Sequence, residues 1–519
     1  MNFLRSAVTR ACLGAALATT IAGSVSAADD TARFIVEFKP GMAAQAREAL
    51  AAAGGRVKLE MFDGEAVAAE LPRHLVAALR QSAAVFRVEE DAKRYLMSMG
   101  EAEADGGGYK PGQDIPYGIQ MVQADQLSDA NADNRMICII DSGYSRDHED
   151  LSGNDVDGEF DSGTGNWYED GLGHGTHVGG TISAINNKNT GVVGVNPNKH
   201  IKLHIIKVFD ENGAFTYSST LAVAAKRCGK AGANVISMSL GGGAPNSVEQ
   251  KAFDDLDKAG VLSIAAAGNG GNGTLSYPAG YASVLSVAAI DENKNWATFS
   301  QYNSDVELAA PGVHVLSTWP MGKGTLPALS VGKTHYAPGS MDGSPLAKVT
   351  APLYDFGLGD KVDDGVAGQV CLIQRGTIDF ATKVTNCETS GGVGAVIYNN
   401  VAGSFDGTLG ETQTNIPSMS ASDKEGAKLL AQLGKKANLV VAVSNYAFLQ
   451  GTSMATPHVS AVAALVWSYF PKCTNAQLRT SLEKSALDIG DQGFDDKTGY
   501  GLVQAKAAHD RIAKKGCGK

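Results

Sequence analysis

The residues Gly451-Thr452-Ser453-Met454-Ala455-Thr456-Pro457-His458 set a serine among small side chains, just before the apolar run 459–467. A serine at the head of a helix can be an N-cap, its oxygen accepting a free backbone N–H. It can also be a nucleophile, because free N–H groups and the helix dipole favour the negative charge that develops in acyl transfer. The second role needs a base, a group that orients the base, and an oxyanion donor. The chain offers one of each. Ile137-Cys138-Ile139-Ile140-Asp141 brings an aspartate to the end of an apolar strand, the edge where open α/β sheets gather catalytic groups. His174-Gly175-Thr176-His177 opens a helix with a histidine. Ala265-Ala266-Ala267-Gly268-Asn269 ends a second buried strand with an asparagine in a glycine loop. Singly, the aspartate could cap a turn, the two histidines could bind a metal, and the asparagine could hold a left-handed turn. Together, Asp141, His174, Asn269 and Ser453 can fill the four roles of a serine acyl-transfer centre.

Such groups must be carried at the ends of regular elements. From Tyr117 onward, apolar strands at 136–140, 201–208, 235–240, 262–267 and 284–289 alternate with helices near 174–186, 216–231, 245–259, 453–470 and 475–486. Near-continuous apolar strands separated by helices predict an α/β fold, a parallel sheet covered on both faces. The alternation stops after Ser317-Thr318-Trp319-Pro320 and resumes at Leu449-Gln450-Gly451. The stretch between has strands of its own at 368–373 and 394–398 and is too long for a structureless loop, so an inserted domain is expected. Residues 33–94 read strand, helix, strand, strand, helix, strand, a small α+β unit of the split βαβ kind. A linker rich in Gly, Asp and Glu follows from Gly100 to Gly112 and suits proteolytic cutting.

The four motifs resemble those of the subtilase family of serine endopeptidases and follow that family's Asp, His, Ser order. The likeness covers about 116–319 and 449–508, with Ala461 where the family usually has glycine. It implies a parallel sheet of about seven strands, with His174 as base, Asp141 as its orienter and Ser453 as nucleophile. It implies an oxyanion hole of the Asn269 amide and the Ser453 N–H. Ser239, Leu240 and Gly241 would pair with an extended substrate, and Ala266 and Gly268 would wall the pocket for the residue before the scissile bond. No acidic residue lines that pocket, so broad or apolar preference is expected there. The likeness also implies a structural calcium held by Gln113, Asp150, Ile185, Asn187, Thr190 and Val192. Oxygens from separate segments suit calcium, although this loop is one residue longer than the common form and could be a plain Asn/Gly turn.

By the same likeness, residues 28–97 are similar to the family's propeptide, a ferredoxin-like folding chaperone and inhibitor. The chain would then be a zymogen, cut between Tyr95 and Gly112, with 98–112 as the linker. The insert, 320–446, resembles a mainly β protease-associated domain in its segments 370–376, 380–384, 391–400 and 416–419. Such a domain would shape substrate access or bind protein, or only stabilise the surface. The catalytic domain then takes residues 113–319 and 447–519.

Composition sets the surroundings. The 519 residues are 44% hydrophobic and carry a formal net charge of −11, with no basic stripe, which argues against nucleic acid as a partner. Arg5 and Arg10, an apolar run over 11–25 and Val25-Ser26-Ala27 make residues 1–27 a secretory signal peptide, and no other segment suits a membrane. A secreted monomer acting on protein or peptide substrates is expected. Of seven cysteines, Cys12 lies in the signal. Neighbourhood pairs the rest as Cys371–Cys387, Cys473–Cys517 and Cys138–Cys228, with Cys138 alternatively a buried thiol in its strand. Two other function classes fit less well. A binding module on an inactive scaffold has no need of all four groups intact. An α/β-hydrolase esterase needs histidine last in order, whereas here Ser453 is last.

Overall fold

The computed structural model describes residues 31–97 and 113–519, apart from 188, 189, 402, 404 and 406. The signal peptide and the linker expected from the sequence lie outside the described residues. The central sheet has seven strands in the order Val306–Pro311, Val284–Ile290, Leu262–Ala266, Val235–Met238, Met136–Asp141, Lys202–Lys207 and Asp155–Phe160. Every neighbouring pair is parallel. Alternate side chains of Met136–Asp141 feed two cores. Ile137 and Ile139 join the face covered by helices His174–Ser183 and Thr452–Tyr469, while Cys138 and Ile140 join the face covered by Ser218–Ala231 and Ser247–Lys258. Strands buried on both faces in this way explain the unbroken apolar runs in the sequence. A disulfide joins Cys138 to Cys228 with Cα atoms 5.7 Å apart, so the buried-thiol alternative falls.

The N-terminal unit has four antiparallel strands in the order Arg56–Met61, Ala66–Pro72, Thr31–Phe38, Val85–Glu90, with helices Ala43–Ala52 and Val76–Arg80. It sits on the helices Ser218–Ala231 and Ser247–Lys258, burying Ile35, Met61, Ala66 and Ala68 against Ala222, Val248 and Ala252. Carboxylates of this unit cap both helices. Asp91 accepts from the Ser219 N–H at 2.9 Å, and Glu89 from the Ser247 N–H at 3.0 Å. Acidic groups there complement free N–H donors and the positive end of the helix dipole.

The insert leaves the main domain along Val315–Thr318 and returns along Tyr446–Leu449, which pair antiparallel. Its own seven-stranded mixed sheet runs from Gly324–Val331 to Lys436–Ser444, with helices Phe380–Thr389 and Asp423–Leu430. Disulfides Cys371–Cys387 and Cys473–Cys517 are both present. Among the described residues, no helix is long and apolar enough to cross a membrane.

Candidate active site

Asp141 ends the central strand and His174 begins the next helix, and the fold brings them into contact. His174 Nδ1 lies 2.7 Å from Asp141 Oδ1, and both side chains are buried. Gly175 makes the approach possible, since a Cβ there would stand 2.2 Å from the Gly143 carbonyl oxygen. The helix start is braced by a residue that sequence reading passed over. Asp170 accepts from the Gly173 and Thr176 N–H groups at 2.9 and 2.8 Å, from Thr176 Oγ1 at 2.7 Å and from Ser142 Oγ at 2.9 Å. Its place four residues before the helix start at His174, in Asp170-Gly171-Leu172-Gly173, was the available signal. His177 is not a metal ligand here. Its Nε2 faces the carbonyls of Val315 and Ala447 at 2.9 and 3.1 Å, on the two strands that carry the insert.

Ser453 is the second residue of the helix Thr452–Tyr469 and is fully buried beneath residue 97. Its hydroxyl donates to the Ser239 carbonyl at 2.9 Å, and His174 Nε2 makes no hydrogen bond among the described residues. Thr452 fixes the facing amide. Asn269 Oδ1 accepts from the Thr452 N–H at 2.9 Å and from its hydroxyl at 2.8 Å, which turns Asn269 Nδ2 outward.

That Nδ2 donates at 2.6 Å to the carbonyl oxygen of Met97, the last described residue of the N-terminal unit. The Ser453 N–H donates to the same oxygen at 3.1 Å. The segment leading to Met97 is extended. The Met97 N–H donates to Ser239 O at 3.1 Å, and Leu96 and Tyr95 pair antiparallel with Leu240 and Gly241. A Cβ on Gly241 would come within 3.0 Å of Met97 Cε, so the methionine side chain lies against that glycine. Ala266 is fully buried at its strand end, and the Gly268 N–H donates to Thr452 Oγ1 at 3.2 Å.

The expected calcium ligands also gather. Gln113 Nε2 reaches the carbonyls of Ile185 at 2.8 Å and Val192 at 3.3 Å. The Asp150 carboxylate accepts from Asn187 Nδ2 at 2.5 Å and from the Val192 N–H at 2.7 Å. Thr190 joins through its N–H, 3.0 Å from Asn187 Oδ1. Asp150 is fully buried, and that burial pushes its carboxyl up to about 6. The buried Asp150 carboxylate and the Ile185 and Val192 carbonyls are oxygens that suit calcium, while the Gln113 and Asn187 amides turn their nitrogens toward them and Thr190 presents its N–H, not the expected carbonyl. Among the described residues, no group of three or more His, Cys, Asp or Glu is placed to hold a metal.

The subtilase family model matches residues 132–344 and 393–501. The chain belongs to the subtilase family. A PA domain model matches residues 346–429, within the insert. This subtilase is 40% identical to subtilisin DY from Bacillus licheniformis over 233 residues, 43% of this chain and 82% of the relative. It is 37% identical to an alkaline protease of Shouchella clausii over 257 residues, 48% of this chain and 61% of the relative. Among solved structures it is similar to the psychrophilic subtilisin-like protease Apa1 from the Antarctic psychrotroph Pseudoalteromonas sp. AS-11. That match has a TM-score of 0.69 and 40% identity, covering 78% of this chain and 100% of the other. The subtilase is thus a subtilisin-type serine endopeptidase, and its substrates are proteins.

Proposed function

We propose that this subtilase is a secreted, calcium-stabilised endopeptidase made as a zymogen, and that its first substrate is its own Met97–Ser98 bond. One observation carries the reading: the Met97 carbonyl oxygen lies between the Ser453 N–H and the Asn269 amide. Two donors converging on one carbonyl are what acyl transfer requires when negative charge moves onto that oxygen. Ser453 Oγ turns from the Ser239 carbonyl toward His174, which takes its proton as the new C–O bond forms. Asp141 holds the imidazole with Nδ1 protonated and stabilises the imidazolium. His174 then passes the proton to the leaving nitrogen, the C–N bond breaks, and water repeats the sequence on the ester.

Residues 28–97 then act first as an intramolecular inhibitor, since Tyr95–Met97 fill the strand-pairing site that other substrates need. Methionine at the position before the cut agrees with broad or apolar preference there. Secretion is supported by the signal-like residues 1–27 and by three disulfides, which persist in oxidising compartments. Calcium would be held by Gln113, Asp150, Ile185, Asn187, Thr190 and Val192 and would supply the positive charge that Asp150 otherwise lacks. Casein hydrolysis by the processed protein tests the reading. Activity should be lost in Ser453→Ala, and a Ser453→Ala protein that digests casein like its parent refutes the assignment.

A further inference from the structure

Three residues before Met97 the inhibitory segment buries a positive charge inside the catalytic domain. The Arg94 side chain is fully buried, as is its partner Glu249 on the helix Ser247–Lys258. Arg94 Nε donates to Glu249 Oε1 at 3.0 Å and Nη2 to Oε2 at 2.5 Å, a two-point fork. Nη2 also donates to the Ala244 carbonyl at 3.0 Å, and the Tyr281 hydroxyl donates to Glu249 Oε2 at 2.7 Å.

The two partners have different fates. Glu249, Tyr281 and Ala244 belong to the mature enzyme, whereas Arg94 leaves with the segment cut after Met97. Removal of one member of a buried ion pair leaves a costly uncompensated charge. The emptied pocket therefore favours whatever restores the guanidinium. Register places that group unambiguously, because Leu240 faces Leu96 and Gly241 faces Tyr95, so the next residue outward, Arg94, is the fourth before the scissile bond.

We propose that Glu249 is a specificity-determining residue, which makes the mature enzyme select arginine at the fourth position before the cut. The inference rests on the endopeptidase reading above and on the Met97 register. It divides the recognition site into an apolar pocket beside the cut and an acidic one three residues away. Arginine should outrank lysine, since an ammonium cannot make both contacts of the fork. Glutamate there would meet Glu249 and be rejected.

The test uses the self-processed enzyme and three peptide amides, acetyl-Xaa-Tyr-Leu-Met-p-nitroanilide, with Xaa as arginine, norleucine or glutamate. Arginine should exceed norleucine in kcat/KM on the order of 10²-fold, with glutamate lowest. Glu249→Gln should bring the arginine to norleucine ratio close to one. Because Glu249 also pairs with Arg94 in the uncut chain, the double variant Arg94→Leu/Glu249→Leu is the second arm, and it should prefer norleucine. Casein hydrolysis by the parent with arginine no better than norleucine overturns this inference alone. A parent that cleaves neither the peptides nor casein overturns the endopeptidase reading, and this inference with it.

Discussion

Met97 and Ser453 stand at opposite ends of the chain, yet the Ser453 N–H donates to the Met97 carbonyl at 3.1 Å. The segment before Met97 reaches that point by pairing as a strand between Leu240–Gly241 and Thr216–Tyr217. The bond most exposed to Ser453 is therefore fixed by backbone register. Met97→Asp puts a charge where the methionine side chain lies against Gly241. Processing after residue 97 should slow at least about tenfold, read as persistence of the precursor on gels. An unchanged rate would separate the Met97 pocket from the cut.

Asn269 contributes one of the two donors. Asn269→Ala should lower kcat by about 10²–10³ with a small change in KM, the loss measured in subtilisin itself for such a donor. Thr452→Val removes the hydroxyl that holds Asn269 Oδ1 but keeps the backbone N–H. It should give a smaller loss, about tenfold, in steady-state kinetics. Equal losses for the two variants would contradict this division.

Asp170 braces the helix that begins with His174 through four hydrogen bonds. Asp170→Ala leaves buried donors without partners, so it should cost about 3 kcal/mol of stability and lower kcat. Denaturant unfolding in a Ser453→Ala background, which prevents self-digestion, gives the first number. A stability within about 0.5 kcal/mol of the parent would show that the brace is dispensable.

His177 and His458 are buried, and burial lowers them from the usual 6.5 to about 3 and about 4. A lowered folded value means stability is complete above about pH 6.5 and is lost as pH falls toward 3. Each histidine removes about 1.4 kcal/mol per pH unit in that window. Urea unfolding between pH 6.5 and 4 should therefore show a falling free energy. His458→Gln should reduce the slope by about 1.4 kcal/mol per unit, and an unchanged slope would refute the assignment.

Calcium should bind only the folded chain. At about 100 times its dissociation constant it adds about 2.7 kcal/mol, so chelation should lower the unfolding temperature by several degrees. Asp150→Asn should match the chelated parent and ignore added calcium. If that variant still responds like the parent, calcium binds elsewhere.

The sheet was legible because its inner strands are buried on both faces and read as unbroken apolar runs. Asp155–Phe160 was not, because it is an edge strand and its sequence, DVDGEF, is mostly polar. Lys93–Leu96 was missed for another reason. Its partners lie at Thr216–Tyr217 and Leu240–Gly241, and no local pattern records such distant pairing. Asp141, His174, Asn269 and Ser453 stood out by residue type beside glycine at element ends. Asp170, Thr452 and Glu249 did not, because each acts through a contact made only after folding. The likeness placed the cut between Tyr95 and Gly112, and the proposal of one bond in that stretch rests on the seating of Met97, a contact made only after folding.

The most direct measurement is the intact mass and N-terminal sequence of the purified parent and of Ser453→Ala. The account predicts a parent beginning at Ser98 and a Ser453→Ala chain that keeps residues 28–97. A Ser453→Ala chain processed after Met97 as fully as the parent, with no other protease present, would contradict it.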